Sequence, residues 1–247
     1  GRVYMAGHSK WANIQHRKKR QDNKRGKLFT KLIKEITVAA REGGGDADSN
    51  PRLRLALDKA FSGNMNKETV EKAINRGTGN LEGVNYEELI YEGYSSSGVA
   101  VIVECVTDNK NRTVAEVRHA FSKFSGNLGS SGSVSYLFKK VGIISYEDTN
   151  KGDEIVDLAI ENNASDVIQD NNYVEIQTDK DDYLNITKVL KENNYIFDNA
   201  ELEMIADTKI ELDSEGAESF MKFTDALEEL DDVQNVYTNA EYTGELD

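Results

Sequence analysis

Between residues 141 and 206 the hydrophobic pattern changes period in a fixed order. Residues 141–146 alternate as a strand. Residues 153–162 carry Ile155, Leu158 and Ala159 at helical spacing. Residues 166–169 and 173–178 are two more strands, joined by the tight turn Asp170-Asn171-Asn172, whose side chains tolerate turn geometry. A second helix follows at 182–193 and a last strand at 201–205. The order βαββαβ is that of the ferredoxin-like fold.

This self-contained stretch constrains what surrounds it. Residues 208–240 offer a strand at 209–212, a helix at 215–230 with Phe220, Phe223, Leu227 and Leu230, and a strand at 233–238. One helix and two strands are thin for a separate domain. They are expected to join strands at 88–92, 99–106 and 133–138. The helix between those strands should open at the capping box Thr113-Val114-Ala115-Glu116, with Val114, Val117, Phe121 and Phe124 facing inward. Residues ahead of 81 read as helices only. The first covers 9–42, with Leu28, Leu32 and Ile36 at i, i+4, i+8, and ends at Gly43-Gly44-Gly45. Asn50-Pro51 starts a second helix, with Leu53, Leu57, Ala60 and Phe61 on one face. Asn66 caps a third, which carries Val70 and Ile74 and is expected to stop at Gly77. The expected fold class is multidomain α and α+β. A helical domain spans 5–80, a discontinuous α+β domain spans 81–139 plus 208–240, and a ferredoxin-like domain at 140–207 is inserted in it. Gly1-Arg2-Val3-Tyr4 reads as an added leader, with Met5 as the natural start.

The net charge of −14 conceals a strong asymmetry. Residues 1–80 carry 18 Lys+Arg against 8 Asp+Glu, a net +10, whereas residues 81–247 carry 12 against 36, a net −24. Residues 10–34 alone hold ten Lys/Arg and one acid, Asp22. Arg17, Arg20, Lys24, Lys27, Lys31 and Lys34 recur at helical spacing and fall within one stripe about 100° wide and about 25 Å long. Leu28, Phe29, Leu32, Ile33, Ile36 and Ala39 fill the adjoining arc, so one face packs and another is cationic. Duplex DNA places one phosphate per ~1.7 Å of axis, so such a ridge can meet several at once. Lys10, Lys18, Lys19 and Arg25 widen the surface, and Trp11 and His16 supply rings that can stack on bases. The acids that would neutralise a merely solvated helix face are missing here.

Other features carry less. Gly126, Asn127, Gly129, Gly132 and Ser133 lie in a glycine-rich run that could cradle phosphate with backbone amides, but it lacks the Gly-Lys-Ser/Thr ending of a nucleotide loop. It is a possible contact loop. His8, His16 and His119 lack metal-ligand spacing, and neither a metal nor any other cofactor is expected. Asp181-Asp182, Glu228-Glu229 and Asp231-Asp232 read as solvated acids. Cys105, the single cysteine, sits in an apolar strand and reads as core, which excludes a disulfide framework and suits a reducing compartment. No apolar run approaches the ~18 residues of a membrane span. A cytoplasmic protein without catalytic machinery is expected, with its oligomeric state left open.

Several longer motifs resemble the YebC/PmpR family. They are Met5-Ala6-Gly7-His8-Ser9-Lys10-Trp11-Ala12-Asn13-Ile14, Lys24-Arg25-Gly26-Lys27-Leu28-Phe29, Ile36-Thr37-Val38-Ala39-Ala40-Arg41 and Asn75-Arg76-Gly77-Thr78-Gly79. Tyr91-Glu92-Gly93-Tyr94, Thr107-Asp108-Asn109-Lys110-Asn111-Arg112-Thr113 and Gly126-Asn127-Leu128-Gly129 complete the set. The resemblance implies three domains and a regulator of gene expression. Members are described as DNA-binding transcriptional regulators. Others, including a mitochondrial translational activator of a cytochrome c oxidase subunit, act at the ribosome. A DNA-binding transcriptional regulator is the leading expectation. A ribosome-associated translation factor or translational activator that binds rRNA or tRNA and relieves stalling is the alternative, and a protein-interaction scaffold is the third.

Overall fold

A computed structural model describes residues 25–79, 85–242 and 244. Among these, one compact unit comprises 135–209 with 237–239, and a second comprises 25–134 with 210–236 and 240–242.

The second unit begins with three helices, α1 (Arg25–Gly43), α2 (Pro51–Ser62) and α3 (Lys67–Gly77). Leu32, Ile36, Ala39 and Ala40 of α1 pack on Leu53, Ala56 and Ala60 of α2 and on Val70 and Ala73 of α3. Asn50 fixes the α1–α2 corner. Its Oδ1 accepts the Leu53 N–H at 3.1 Å, and its Nδ2 donates to the Ala39 and Gly44 carbonyls at 2.8 Å. Gly44 takes a positive φ of 87° there. Helix α3 ends at Gly77 as expected, and the left-handed residue that follows is Gly79, at φ 82°. Gly77 is needed because a Cβ there would strike the Thr37 carbonyl oxygen of α1.

The rest of this unit is a four-stranded sheet carrying two helices. Strands β1 (Glu87–Tyr94) and β2 (Ala100–Thr107) form an antiparallel pair, and β3 (Asn127–Leu128) lies beyond β1. After the ferredoxin-like stretch the chain returns through α7 (Ser214–Glu228) and β9 (Val233–Thr238), giving the order β3-β1-β2-β9. Helix α4 (Lys110–Lys123) and α7 share a core with β2, in which Val117 and Phe121 meet Phe220, Phe223 and Leu227 over Val101, Val103 and Cys105. Phe121 and Phe223 stack edge to face with centroids 4.9 Å apart, an arrangement worth ~0.5–1.5 kcal/mol beyond buried area. The sequence placed the start of α4 at Thr113. The helix starts one turn earlier because Asn109 is the better cap, accepting the Arg112 N–H at 3.0 Å. The expected strand at 209–212 shrinks to β8 (Ile210–Glu211), which pairs in parallel with β10 (Ala240–Glu241) outside the large sheet.

The first unit is ferredoxin-like. Strands β4 (Phe138–Tyr146), β5 (Asp166–Asp170), β6 (Tyr173–Asp179) and β7 (Asn199–Ala206) alternate with α5 (Gly152–Glu161) and α6 (Tyr183–Glu192). All neighbours in the order β5-β6-β4-β7 are antiparallel. Part of the strand expected at 133–138 is instead a single 3₁₀ turn, Ser135–Leu137, leading into β4.

Candidate nucleic-acid interface

Lys27, Lys31 and Lys34 occupy one side of α1 at i, i+4, i+7, and that side meets the end of α7. Lys27 Nζ donates to the Glu229 carbonyl at 3.0 Å and to its Oε2 at 2.7 Å. Lys31 Nζ donates to the Glu228 carbonyl at 2.8 Å. Lys34 Nζ donates to the Asp231 carbonyl at 3.0 Å and the Val106 carbonyl at 3.3 Å, and lies 3.5 Å from Asp232 Oδ1. The last carbonyls of a helix lack intrahelical partners and carry the negative end of its dipole. A row of lysines is their natural complement.

Burial grades steeply along this row. Side-chain exposure falls from 40% at Lys27 to 9% at Lys34, and from 62% at Glu229 to 2% at Asp232. The expectation of a solvent-facing ridge reaching Lys34 is therefore corrected. Lys34 is interior, held there by a buried carboxylate that needs its charge. Asp232, read from the sequence as a solvated acid, is the hub of this junction. Its carboxylate accepts from Arg112 Nε at 3.0 Å, Arg112 Nη2 at 2.8 Å and Thr113 Oγ1 at 2.8 Å. Burial alone would push its carboxyl up, but the Arg112 and Thr113 hydrogen bonds and the Lys34 charge outweigh that and hold it below the usual carboxylate range. Arg112 also pairs with Asp108 at 2.8 Å. A cleft of about 750 Å³ runs along the seam, with Lys27, Lys31 and Tyr86 among its cationic and aromatic lining and Asp108, Arg112 and Glu229 facing them.

A second clasp engages the adjoining face of α1. Arg52 binds Glu35 at 2.8 Å, Glu42 at 2.7 Å and Glu88 of β1 at 2.5 Å, while Arg41 donates to the Tyr86 carbonyl. The helical layer and the sheet are thus joined largely by charged groups.

The glycine-rich run already holds an anion of its own. Gly132 N–H and Val134 N–H donate to the Glu92 carboxylate at 2.6 and 3.1 Å, and Gly129 N–H donates to the Glu92 carbonyl at 2.8 Å. Glu92 is 4% exposed. Gly132 uses a positive φ of 84°, Asn127 belongs to β3, Ser133 N–H bonds to Ser130, and a Cβ on Gly126 would press on the Tyr94 carbonyl. The Gly129 and Gly132 amides are thus already bonded to Glu92, so they do not form the open phosphate cradle expected of the run.

Lys10, Trp11, His16, Arg17, Lys18, Lys19, Arg20 and Lys24 lie outside the described residues, and Arg25 is the first residue of α1. Sequence reasoning missed Arg112, Asp232 and Glu92. Only Arg112 carried a usable signal, an arginine one turn inside a helix start with an aspartate four residues before it. Among the described residues no group of three or more His, Cys, Asp or Glu is placed to hold a metal ion, and no helix is long and apolar enough to cross a membrane.

Known proteins resemble this chain along nearly all its length. Residues 9–80 match the TACO1/YebC protein N-terminal domain, and residues 86–240 match the TACO1/YebC second and third domain. A probable transcriptional regulatory protein of Idiomarina loihiensis is 54% identical over 243 residues, covering 98% of both chains. Proteins of the same name from Shewanella oneidensis and Nitrosococcus oceani are each 56% identical over the same share. The crystal structure of a conserved hypothetical protein from Aquifex aeolicus superimposes with a TM-score of 0.81 at 44% identity, covering 91% of this chain and 93% of that one.

Proposed function

We propose that this chain, which belongs to the TACO1/YebC family, regulates gene expression by binding nucleic acid through its basic segment, residues 10–34. The observation that carries this reading is charge: ten Lys/Arg and a single acid within 25 residues of a chain that is otherwise strongly acidic. The name shared by the relatives, probable transcriptional regulatory protein, supports a role in transcription regulation, and we take duplex DNA as the first target and a non-enzymatic role in the cytoplasm. The proposed contacts are Lys10, Trp11, His16, Arg17, Lys18, Lys19, Arg20, Lys24 and Arg25, continued by the partly covered Lys27 and Lys31. Lys34 is left out because it is buried.

A salt titration tests the mode. With one phosphate met by each of the stripe residues Arg17, Arg20, Lys24, Lys27 and Lys31, log K against log salt should fall with a slope of about −4.5 on duplex DNA, and more steeply with each contact added by the flanking Lys10, Lys18, Lys19 and Arg25. A slope near zero would remove the reading.

A second reading, a translation factor bound to ribosomal or transfer RNA, is favoured by the charge of the ferredoxin-like unit. Residues 135–209 hold 7 Lys and 17 Asp+Glu, a net −10, which a bare duplex repels but a mixed ribonucleoprotein surface with basic proteins can accept. Lysine and arginine on phosphate fix position and carry no sequence information, which suits either target. Lysate sedimentation separates the two. Salt-sensitive, DNase-resistant migration with ribosomal particles selects the second, and absence from them with a footprint on a defined promoter selects the first.

A further inference from the structure

The cations at the end of the stripe are already covered by a surrogate for a nucleic-acid backbone. Three lysines at i, i+4, i+7 donate to carbonyl or carboxylate oxygens of Glu228, Glu229, Asp231 and Asp232, and Lys34 donates also to the Val106 carbonyl beside them. The row is graded. At its inner end the buried Lys34, Asp232 and Thr113 form a network that the half-exposed Arg112 closes from outside. At its outer end Lys27 and Glu229 meet in water, where an ion pair is weak and screened by salt. Lys31 sits between, half-buried, and donates to the Glu228 carbonyl. The open cleft beside them gives a polyanion a way in.

Resting on the nucleic-acid reading above, we infer that the C-terminal end of α7, Glu228–Glu229, is an internal competitor that covers Lys27 and Lys31 until backbone phosphates displace it. Lys34–Asp232 is the fixed end of this latch and Lys27–Glu229 the end that opens. Opening exchanges the Glu229 carboxylate for phosphate at Lys27 and the Glu228 carbonyl for phosphate at Lys31, so a polyanion long enough to reach both lysines is bound more tightly than one that stops short of them. A short oligonucleotide that ends before Lys27 gains nothing from the covered pair. The device thus selects for length of backbone without reading a base.

The test uses the full chain and a short duplex of arbitrary sequence, with a single-stranded RNA of the same length in parallel. Glu229→Gln removes the competing carboxylate, and Glu215→Gln in the first turn of α7 makes the same charge change at the opposite end of that helix. Glu229→Gln should tighten binding severalfold, up to about fivefold, and Glu215→Gln by clearly less. In a second arm, Lys27→Cys/Glu229→Cys is bridged with a short bis-maleimide. The native Cys105 does not interfere, because it is buried and its thiol is pushed up to about 12, mainly by that burial. Bridging should weaken binding and flatten the salt slope to about −2.7, the value for Arg17, Arg20 and Lys24 alone. Equal gains from the two glutamine variants, or a bridged chain that binds like the unbridged one, would overturn the latch while leaving nucleic-acid binding in place. No binding by any form, on either probe at low salt, would overturn the functional reading and the latch with it.

Discussion

Removing Asp232 should loosen the junction between α1 and the sheet more than removing any of the exposed charges along it. The carboxylate is 1% exposed and accepts three short hydrogen bonds from Arg112 and Thr113, with the ammonium of Lys34 alongside. Breaking a buried pair by deleting one partner costs roughly 3–5 kcal/mol, because the other charge stays buried and uncompensated. Lys34 keeps two neutral carbonyl acceptors, so Asp232→Ala belongs near the lower end, about 3 kcal/mol. For a unit of this size that is a fall of roughly 6–12 °C in melting temperature. Lys34→Met leaves Asp232 paired with Arg112 and should cost less, about 1–2 kcal/mol. The double variant should cost less than the sum, with a coupling of about 1–3 kcal/mol. The pH dependence follows from the depressed folded-state pKa of Asp232. Its stabilisation is complete above the unfolded-state value near ~3.9 and disappears as pH falls from there through the folded value. Asp232→Asn should therefore lack part of the acid limb of the stability curve. Urea unfolding across pH, with hydrogen exchange read at α1 and β2 amides, gives both quantities. A cost below about 1 kcal/mol for Asp232→Ala, or strict additivity with Lys34→Met, would refute the hub.

Three further outcomes are expected. Glu92→Gln should destabilise by about 1–3 kcal/mol, since two loop amides lose a charged acceptor; unchanged exchange protection at Gly132 and Val134 would count against it. Gly77→Ala should force α3 away from α1 at about 1–3 kcal/mol, and an unaltered melting curve would show that the approach is not tight. Residues 140–207 expressed alone should give a dispersed amide spectrum, whereas 81–139 without 208–240 should not, because α7 supplies half of the helical core; a well-folded 81–139 fragment would contradict this division.

Local periodicity was enough to read nearly every element. The strands at β2 and β6 and the helices α2, α5 and α6 are specified by what they bury, and burial leaves a period in the chain. Cap choice was less legible at α4, where Thr113 and Asn109 are both good candidates. Asn109 wins because Thr113 is drawn inside to Asp232, a residue whose partnership no local pattern reveals. The candidate site was legible as charge and misread as geometry at its inner end. A lysine at stripe spacing looks the same whether it meets solvent or a buried aspartate distant in sequence. The glycine-rich loop failed for a similar reason. Its amides were recognisable as an anion cradle, but Glu92, which fills it, sits in a strand where alternation gives no hint of its ligand.

The separation of Lys34 from Asp232 has a consequence for how the chain is made. The two are 198 residues apart in sequence. At ~5–20 residues per second, a ribosome needs on the order of 10–40 s to deliver the aspartate after the lysine has emerged. Throughout that interval α1 holds a lysine without the buried aspartate that pairs with it in the finished protein, and β2 lacks its β9 neighbour. The ferredoxin-like stretch, contiguous in sequence, can close its own sheet in the meantime. Assembly of the helical layer onto the sheet is then a late event, completed only when residues 210–236 have left the ribosome. Until then the lysines of α1 are open to any polyanion nearby, and nascent chains are the form in which that exposure is greatest.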